Sequence, residues 1–432
     1  MTATKYYQFR PINVGRWFIW SLFALVLLLA PLVFDSSIAI SMMAQMGIAI
    51  IACLSFNMLL GQGGMLSFGH AVYAGLGTYV AMHALLLLGD AGLPVPAVAL
   101  IPLVGGLAGL FFALLFGYVT TKKAGTAFAM ITLGVGELIF IASMVFFIFF
   151  GGEAGVSADR VIGEPFWGIS FGPLIEVYYL IAVYTFLCVA LMFAYTRTPL
   201  GRIINAVRDN PERVEFIGYD PQTVRYLVFM IAGFFAGIAG GMAAVLFEIV
   251  TSEVVGPIRS GSYLLFAFLG GVTFFFGPII GGILMVLAFV MFSEITKAWM
   301  LYLGLIFVFM VMYAPGGIAG LIMMNLRLAM FGRLGELWAS YLGLGATALA
   351  LLVSLGALIE MIYHLQLGTA MGDVVPFLGM SLNTLDLDVW FGAVFVALTS
   401  FGLFELCRRS FSQQWAAIQT DIEKEIKRRE TA

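Results

Sequence analysis

From Trp17 to Phe34 the chain runs eighteen residues without an ionisable side chain. A helix needs roughly 20 apolar residues to cross the hydrocarbon core of a bilayer, so this run is long enough to qualify. The same feature recurs along the sequence. Apolar segments near 17–34, 37–60, 71–89, 97–120, 125–150, 177–196, 226–250, 261–276, 279–293, 299–322, 337–362 and 389–406 predict twelve spans. The predicted fold is an all-α polytopic transmembrane helix bundle, with about ten core spans and two C-terminal ones. The pair around Gly277-Pro278 is short on each side, and the sequence leaves open whether it is two helices or one broken helix. Lys5, Arg10 and Arg16 precede the first run, as they would in a secretory signal. A signal's apolar core is only about 7–15 residues, so 17–34 reads as a retained helix.

Composition closes off the soluble alternatives. Of 432 residues, 62% are hydrophobic and 10% charged, where soluble domains carry about 25% charged residues. A water-soluble enzyme, a disordered chain and a nucleic-acid binder are excluded. Cys53, Cys188 and Cys407 lie in or beside apolar runs with no metal-ligand spacing, and His70, His83 and His364 are far apart. No metal site is expected.

The scarce charges set the topology. With the N-terminus in the cytoplasm and twelve alternating spans, only Arg160, Arg259 and Lys297 of the 21 basic residues fall outside. That distribution obeys the positive-inside rule and places both termini in the cytoplasm. It divides the chain into an N-terminal segment with the first helix (1–36), a transmembrane core (37–325), a two-span extension (326–406) and a charged tail (407–432). In the outer loop 151–176 lie Glu153, Asp159, Glu164 and Glu176. Between the last two spans, 363–388 carries His364, Asp373, Asp386 and Asp388 and no Lys or Arg. The tail alternates acids and bases and reads as a solvated helix with local ion pairs.

The longest charged loop between spans is 197–225, on the cytoplasmic side. Asn210-Pro211-Glu212 is a helix start: Asn caps the free amides, Pro suits the first helical position, and Glu complements the dipole. Arg213, Val214, Glu215, Phe216 and Ile217 continue it, and Gly218 stops it. Its charges are mixed, whereas a phospholipid patch would be nearly all basic. The residues alone leave two readings, a surface helix in an ordinary loop and a helix that docks a protein partner.

Polar residues inside apolar runs are costly and therefore informative. Glu137 lies fourteen positions past Lys123, about 21 Å along a helix. A contact to a substrate ammonium group and a hydrogen bond to a neighbouring helix are both open to it. Thr132 lies in the same segment. Gln62, Ser67 and His70 sit in a Gly-rich break between spans, near Asn57. Transporters use such breaks at solute sites, but its position toward the cytoplasm favours gating or packing. Glu248 and Glu294 stand at span ends and are expected to be solvated. Gly233-xxx-Gly237-xxx-Gly241 and Gly75-Leu-Gly77 read as close helix contacts.

Six segments, in order, carry a resemblance. They are Gly61–His70, Gly125–Glu137, Gly151–Val156, Pro199–Gly218 running on to Ala232–Gly241, Gly270–Thr273 with Gly277–Gly282, and Pro315–Leu321. Over about residues 40–322 the chain resembles the permease subunits of ATP-driven importers for branched-chain amino acids and related small polar solutes. The resemblance implies that 210–218 is a coupling helix seated on an ATPase subunit. It also implies a homologous second permease subunit, two ATPase subunits and a periplasmic solute-binding protein in a bacterial inner membrane. Members commonly end soon after the Pro315–Leu321 motif, so the role of the last two spans is open.

The chain contains no GxxxxGK[ST] phosphate loop. It is expected to bind no cofactor and catalyse no reaction, with ATP and Mg held by the partner ATPases. The expected function is a permease subunit forming half of a translocation path. Gln62, Ser67, His70, Thr132 and Glu137 are its candidate pathway or gating residues. Urea, amides and aromatic acids are alternative substrates. An ion-coupled secondary transporter using Glu137 is the alternative from another class.

Overall fold

The structure, a computed structural model, describes residues 14–90, 95–162, 165, 168–367, 374–377 and 380–431. Lys5, Arg10, Glu164 and Asp373 of the charge pattern lie outside these. The described chain is overwhelmingly helical, as lipid requires of a backbone that must satisfy its own amides. It divides into two compact units, residues 1–292 with 306–320, and residues 293–305 with 321–432.

The larger unit opens with α1 (Val14–Val33) and α2 (Ser37–Asn57), the latter capped by Ser36. A π-helical turn, Met58–Gln62, ends α2, and α3 (Ala71–Asp90) follows after a non-helical stretch. Then come α4 (Ile101–Thr120), α5 (Gly125–Val145) and the single turn α6 (Phe147–Phe150). The loop after α6 contributes β1 (Val156–Ser157) before α7 (Leu174–Arg197). Two short helices, α8 (Pro199–Asp209) and α9 (Pro211–Phe216), lead to the long α10 (Pro221–Phe247). β2 (Ile249–Val250) pairs antiparallel with β1. A 3-10 turn, Ser252–Val255, then leads into α11 (Pro257–Gly270) and α12 (Gly277–Val286).

The core of this unit is a glycine-lined crossing of α3, α4 and α10. A Cβ at Gly237 would lie 2.2 Å from the Gly105 carbonyl oxygen and 2.9 Å from the Gly109 Cα. One at Gly77 would lie 2.8 Å from the Gly237 Cα. The three backbones touch directly, and no side chain could yield to make room. This is the packing that the Gly233–Gly241 and Gly75–Gly77 spacings predict. Without a hydrophobic drive between helices in lipid, such approach gains its stability from dispersion contacts. Gly237→Ala is expected to destabilise the bundle by about 1–3 kcal/mol. A drop in the thermal midpoint of the detergent-solubilised protein is the readout, and Gly134→Ala, at a glycine with open space around it, is the control.

In the loop between α6 and α7 Arg160 is a hub. Its guanidinium donates to the carbonyls of Phe171 at 2.7 Å and Gly172 at 3.2 Å and pairs with Glu248 at 3.1 Å. Glu248 also accepts from the Arg160 amide at 2.9 Å. Contrary to the sequence expectation, Glu248 is committed to this clamp, which ties the loop to the end of α10. Glu294 is exposed.

Twelve sequence segments become, among the described residues, nine helices long and apolar enough to cross a membrane. The count is ten if α14 (Trp299–Tyr313) and α15 (Gly317–Met330), bent by 45°, form one span; a three-residue helix, α13 (Ser293–Ile295), precedes them. The apolar part of α1, Trp17–Val33, is 17 residues, at the lower bound for a crossing. The expected span 261–276 is α11, only 14 residues or about 21 Å, too short for a ~30 Å core. Gly277–Ile295 is long enough by itself.

In the smaller unit, α16 (Trp338–Leu367) and α17 (Leu387–Thr431) flank a hairpin of β3 (Val374–Phe377) and β4 (Met380–Asn383). Glu360 in α16, which the sequence reading passed over, accepts from the Thr296 hydroxyl and lies 3.2 Å from the Tyr302 hydroxyl. The expected helical tail is present as the end of one continuous α17, with most of its described side chains exposed, but one stripe of it is buried. Its Ile418 and Ile422 are buried with Leu328 and Leu337, and Phe411 and Trp415 pack against them. These four α17 residues recur at helical spacing and form an apolar stripe, which the alternating charges around them mask. Lys424–Asp421, at 3.6 Å, is one of the local ion pairs expected there.

Candidate functional site

The loop between α7 and α10 is built from three successive helix starts. Thr198 caps α8, its hydroxyl accepting from the Gly201 amide at 3.2 Å. Asn210 caps α9, accepting from the Arg213 amide at 3.1 Å. Asp220 caps α10, accepting from Gln222 and Thr223 amides at 3.1 and 3.0 Å. The Thr223 hydroxyl, the two amides and Arg225 hold the Asp220 carboxyl below its usual range. In α8 the buried residues are Gly201, Ile204 and Val207, and in α9 Val214 alone. Gly218 takes φ +91°, open to glycine, and turns the chain toward α10.

The turn leaves large apolar side chains outside. Phe216 is 89% exposed and Ile217 68%. Around them stand Glu212, Arg213 and Glu215, all exposed. The predicted short helix is present, six residues between the Asn210 cap and the Gly218 turn. α8 was not expected, although Thr198-Pro199 carries the same start signal as Asn210-Pro211.

Behind this loop lies the Gly-rich break. The Arg208 guanidinium, from the last turn of α8, donates to the Gly61 carbonyl and pairs with Asp209 at 2.9 Å. Gly64, at φ +63°, lies against the Arg208 stem, where a Cβ would come within 2.8 Å of its Cγ. The break then runs along α11. Gly61 abuts the Val272 carbonyl just past the end of α11, while the Ala71 amide bonds the Ser260 hydroxyl in its first turn at 3.0 Å. The turns and irregular chain of residues 63–70 thus link contacts at opposite ends of α11.

The candidate gating residues gather here, except one. Thr132 of α5 accepts from the Phe68 amide at 3.2 Å. Ser55 donates to the Ala52 carbonyl at 2.8 Å and so accepts from His70 Nε2 at 2.9 Å. That assignment leaves His70 Nδ1 a bare acceptor. His70 Nδ1, Ser67 Oγ, Gln62 Oε1 and Asn57 Oδ1 are all buried with no hydrogen-bond partner among the described residues. Each such group costs about 1–3 kcal/mol, and four around one segment mark a place where another arrangement would serve the polar atoms better. Glu137 is partly buried on α5 and makes no hydrogen bond among the described residues. Gly136, beside it, faces Gly69 of the break. The sequence reading missed Arg208 and Ser260; neither carries a local signal of the long-range contact it makes.

Residues 38–315 match the family described as the permease component of branched-chain amino acid transport systems. The chain belongs to this permease family. The matched stretch holds the break, the α8–α9 loop and α11, and it stops short of α16 and α17. Among curated relatives, the high-affinity branched-chain amino acid transport system permease protein LivM of Escherichia coli is 27% identical over 291 residues, 62% of this chain. The probable permease protein LivH of Methanocaldococcus jannaschii is 24% identical, over 50% of this chain and 68% of its own length. BraD of Pseudomonas aeruginosa is 24% identical, over 54% and 78%. The chain spans 65% of the length of the LivM relative. No solved structure matches. With nine long apolar helices among the described residues, this permease-family chain is a multi-pass membrane protein.

Proposed function

We propose that the chain is the membrane-spanning permease subunit of an ATP-driven importer for branched-chain amino acids or a related small polar solute. It forms half of the translocation path. The observation that carries this is the family match together with a loop that exposes Phe216 and Ile217 on one side and reaches the Gly61 carbonyl through Arg208 on the other. An ATPase subunit, holding ATP and Mg, seats Asn210–Gly218. Movement of that helix passes through α8 and Arg208 to the break, where Gln62, Ser67, His70 and Thr132 rearrange as the gate. The complex comprises a homologous second permease, two ATPase subunits and a periplasmic binding protein in the bacterial inner membrane, with both termini cytoplasmic.

Glu137, partly buried and without a hydrogen bond, also fits an ion-coupled transporter. Uptake of labelled leucine into right-side-out or reconstituted vesicles, with ATP enclosed and the binding protein outside, separates the two. Leucine movement that requires ATP and survives collapse of the ion gradients is the expected result. Movement that persists without ATP and stops with the gradient refutes the importer reading.

A further inference from the structure

Within the larger unit a cavity of about 130 Å³ lies where α3 and α11 begin. One water needs ~10–15 Å³ of such space, so the cavity is large enough for a small solute. Its polar lining is Gln45 of α2, Thr78 of α3, and Arg259 and Tyr263 of α11; the rest is small or apolar, including Gly75 and Gly240. Arg259 and Tyr263 stand four apart and so share one helix face. No Asp or Glu lines the cavity, and Arg259 makes no ion pair or hydrogen bond among the described residues. Tyr263 is only 8% exposed, yet its hydroxyl has no hydrogen-bond partner among them. Thr78 is already spent on the Ala74 carbonyl at 3.0 Å.

The helix ends add to this polarity. The first turns of α3 and α11 are joined by the bond between Ala71 and Ser260, so two N-termini meet at one level. α11 enters with Gly256 and Pro257 and no capping side chain. Positive helix ends favour an anion, and interrupted helices in transporters present such ends to anionic substrate groups. The first amides of α3 are already bonded to Ser260 and to the Gly69 and His70 carbonyls, but an unpaired arginine, a buried idle hydroxyl and the uncapped start of α11 at one cavity call for the same chemistry.

We propose that this cavity binds the carboxylate end of a small aliphatic amino acid during passage. Arg259 serves as its counter-ion, Tyr263 donates a hydrogen bond, and the wall around Gly75 and Gly240 takes the aliphatic side chain. The assignment rests on the importer reading above and adds a solute contact inside a single permease subunit.

The test uses the assembled permease–ATPase complex in nanodiscs, without binding protein, and reads ligand contact by saturation-transfer NMR. Leucine and its deaminated analogue 4-methylpentanoate should both give signals, and leucinol, which lacks the carboxylate, should not. Arg259→Gln and Tyr263→Phe should each weaken the leucine signal at least tenfold, with Arg259→Lys retaining part of it. ATPase co-purification should stay at the wild-type level in all three, which separates a lost contact from a misfolded subunit. Equal signals for leucine and leucinol, an unchanged signal in Arg259→Gln, or no leucine contact in a complex that still imports leucine with ATP would each overturn the proposal. Failure of ATP-driven leucine uptake by the wild-type complex reconstituted in vesicles with its binding protein would instead strike the importer reading itself.

Discussion

With the ATPase docking proposed for Asn210–Gly218, replacing Phe216 and Ile217 together by Asp is expected to strip the ATPase subunits from the complex. Both side chains are exposed in the isolated chain, so their loss removes no internal packing and should leave membrane insertion and the thermal midpoint unchanged. Buried in a partner's cleft, a Phe or Ile side chain contributes about 1.5–3 kcal/mol. Two of them correspond to roughly two to four orders of magnitude in affinity, before the cost of desolvating two new carboxylates. Co-purification of the ATPase with the tagged permease is the measurement. Wild-type recovery with the double variant would place the docking surface elsewhere. Val214→Asp is the contrasting change: that side chain is 1% exposed, so its loss should damage the loop and show in stability as well as in assembly.

Arg208→Ala should separate assembly from transport. Arg208 does not share the exposed turn with Phe216 and Ile217; it faces the break, through the Gly61 carbonyl and contact with Gly64. A charge-assisted hydrogen bond of this kind contributes about 1.5–3 kcal/mol. Its loss should lower ATP-driven uptake roughly 10- to 100-fold while ATPase subunits still co-purify, leaving hydrolysis uncoupled from solute movement. Arg208→Lys keeps the charge but loses the forked geometry and should fall between. Asp209→Asn, which removes only the ion-pair partner, should leave uptake near wild type. Wild-type uptake in Arg208→Ala would remove this residue from the coupling route.

Much of this was legible in the residues. Long apolar runs give the helices, and glycine spacing in 233–241 gives a close helix contact, because both are local patterns; that α4 is the partner comes only from the structure. The loop helix at 210–218 could be read from its cap. The short α11 could not: its apolar run continues to Phe276, and only the contacts of Ala71 with Ser260 and Gly61 with Val272 show where the helix stands. The same holds for Arg208, whose partner lies 147 positions away. In the tail the alternating charges hid a buried stripe, since four apolar residues at helical spacing among many ions look solvated until a neighbour covers them. Glu137 remained visible as an oddity, but nothing in its neighbours' identity could show that it would lack a hydrogen bond.

The π-helical turn at Met58–Gln62 carries one further consequence. Such a turn accommodates about one more residue than an α turn, through bonds of the i→i+5 type. Tightening it to α would advance the following chain by one residue's share of the helix, roughly 100° of rotation and 1.5 Å of rise. α2 would keep its ladder throughout. In the proposed coupling route, this turn would act as a ratchet tooth, a discrete step by which a small push from Arg208 re-aims Gln62 and the chain after it.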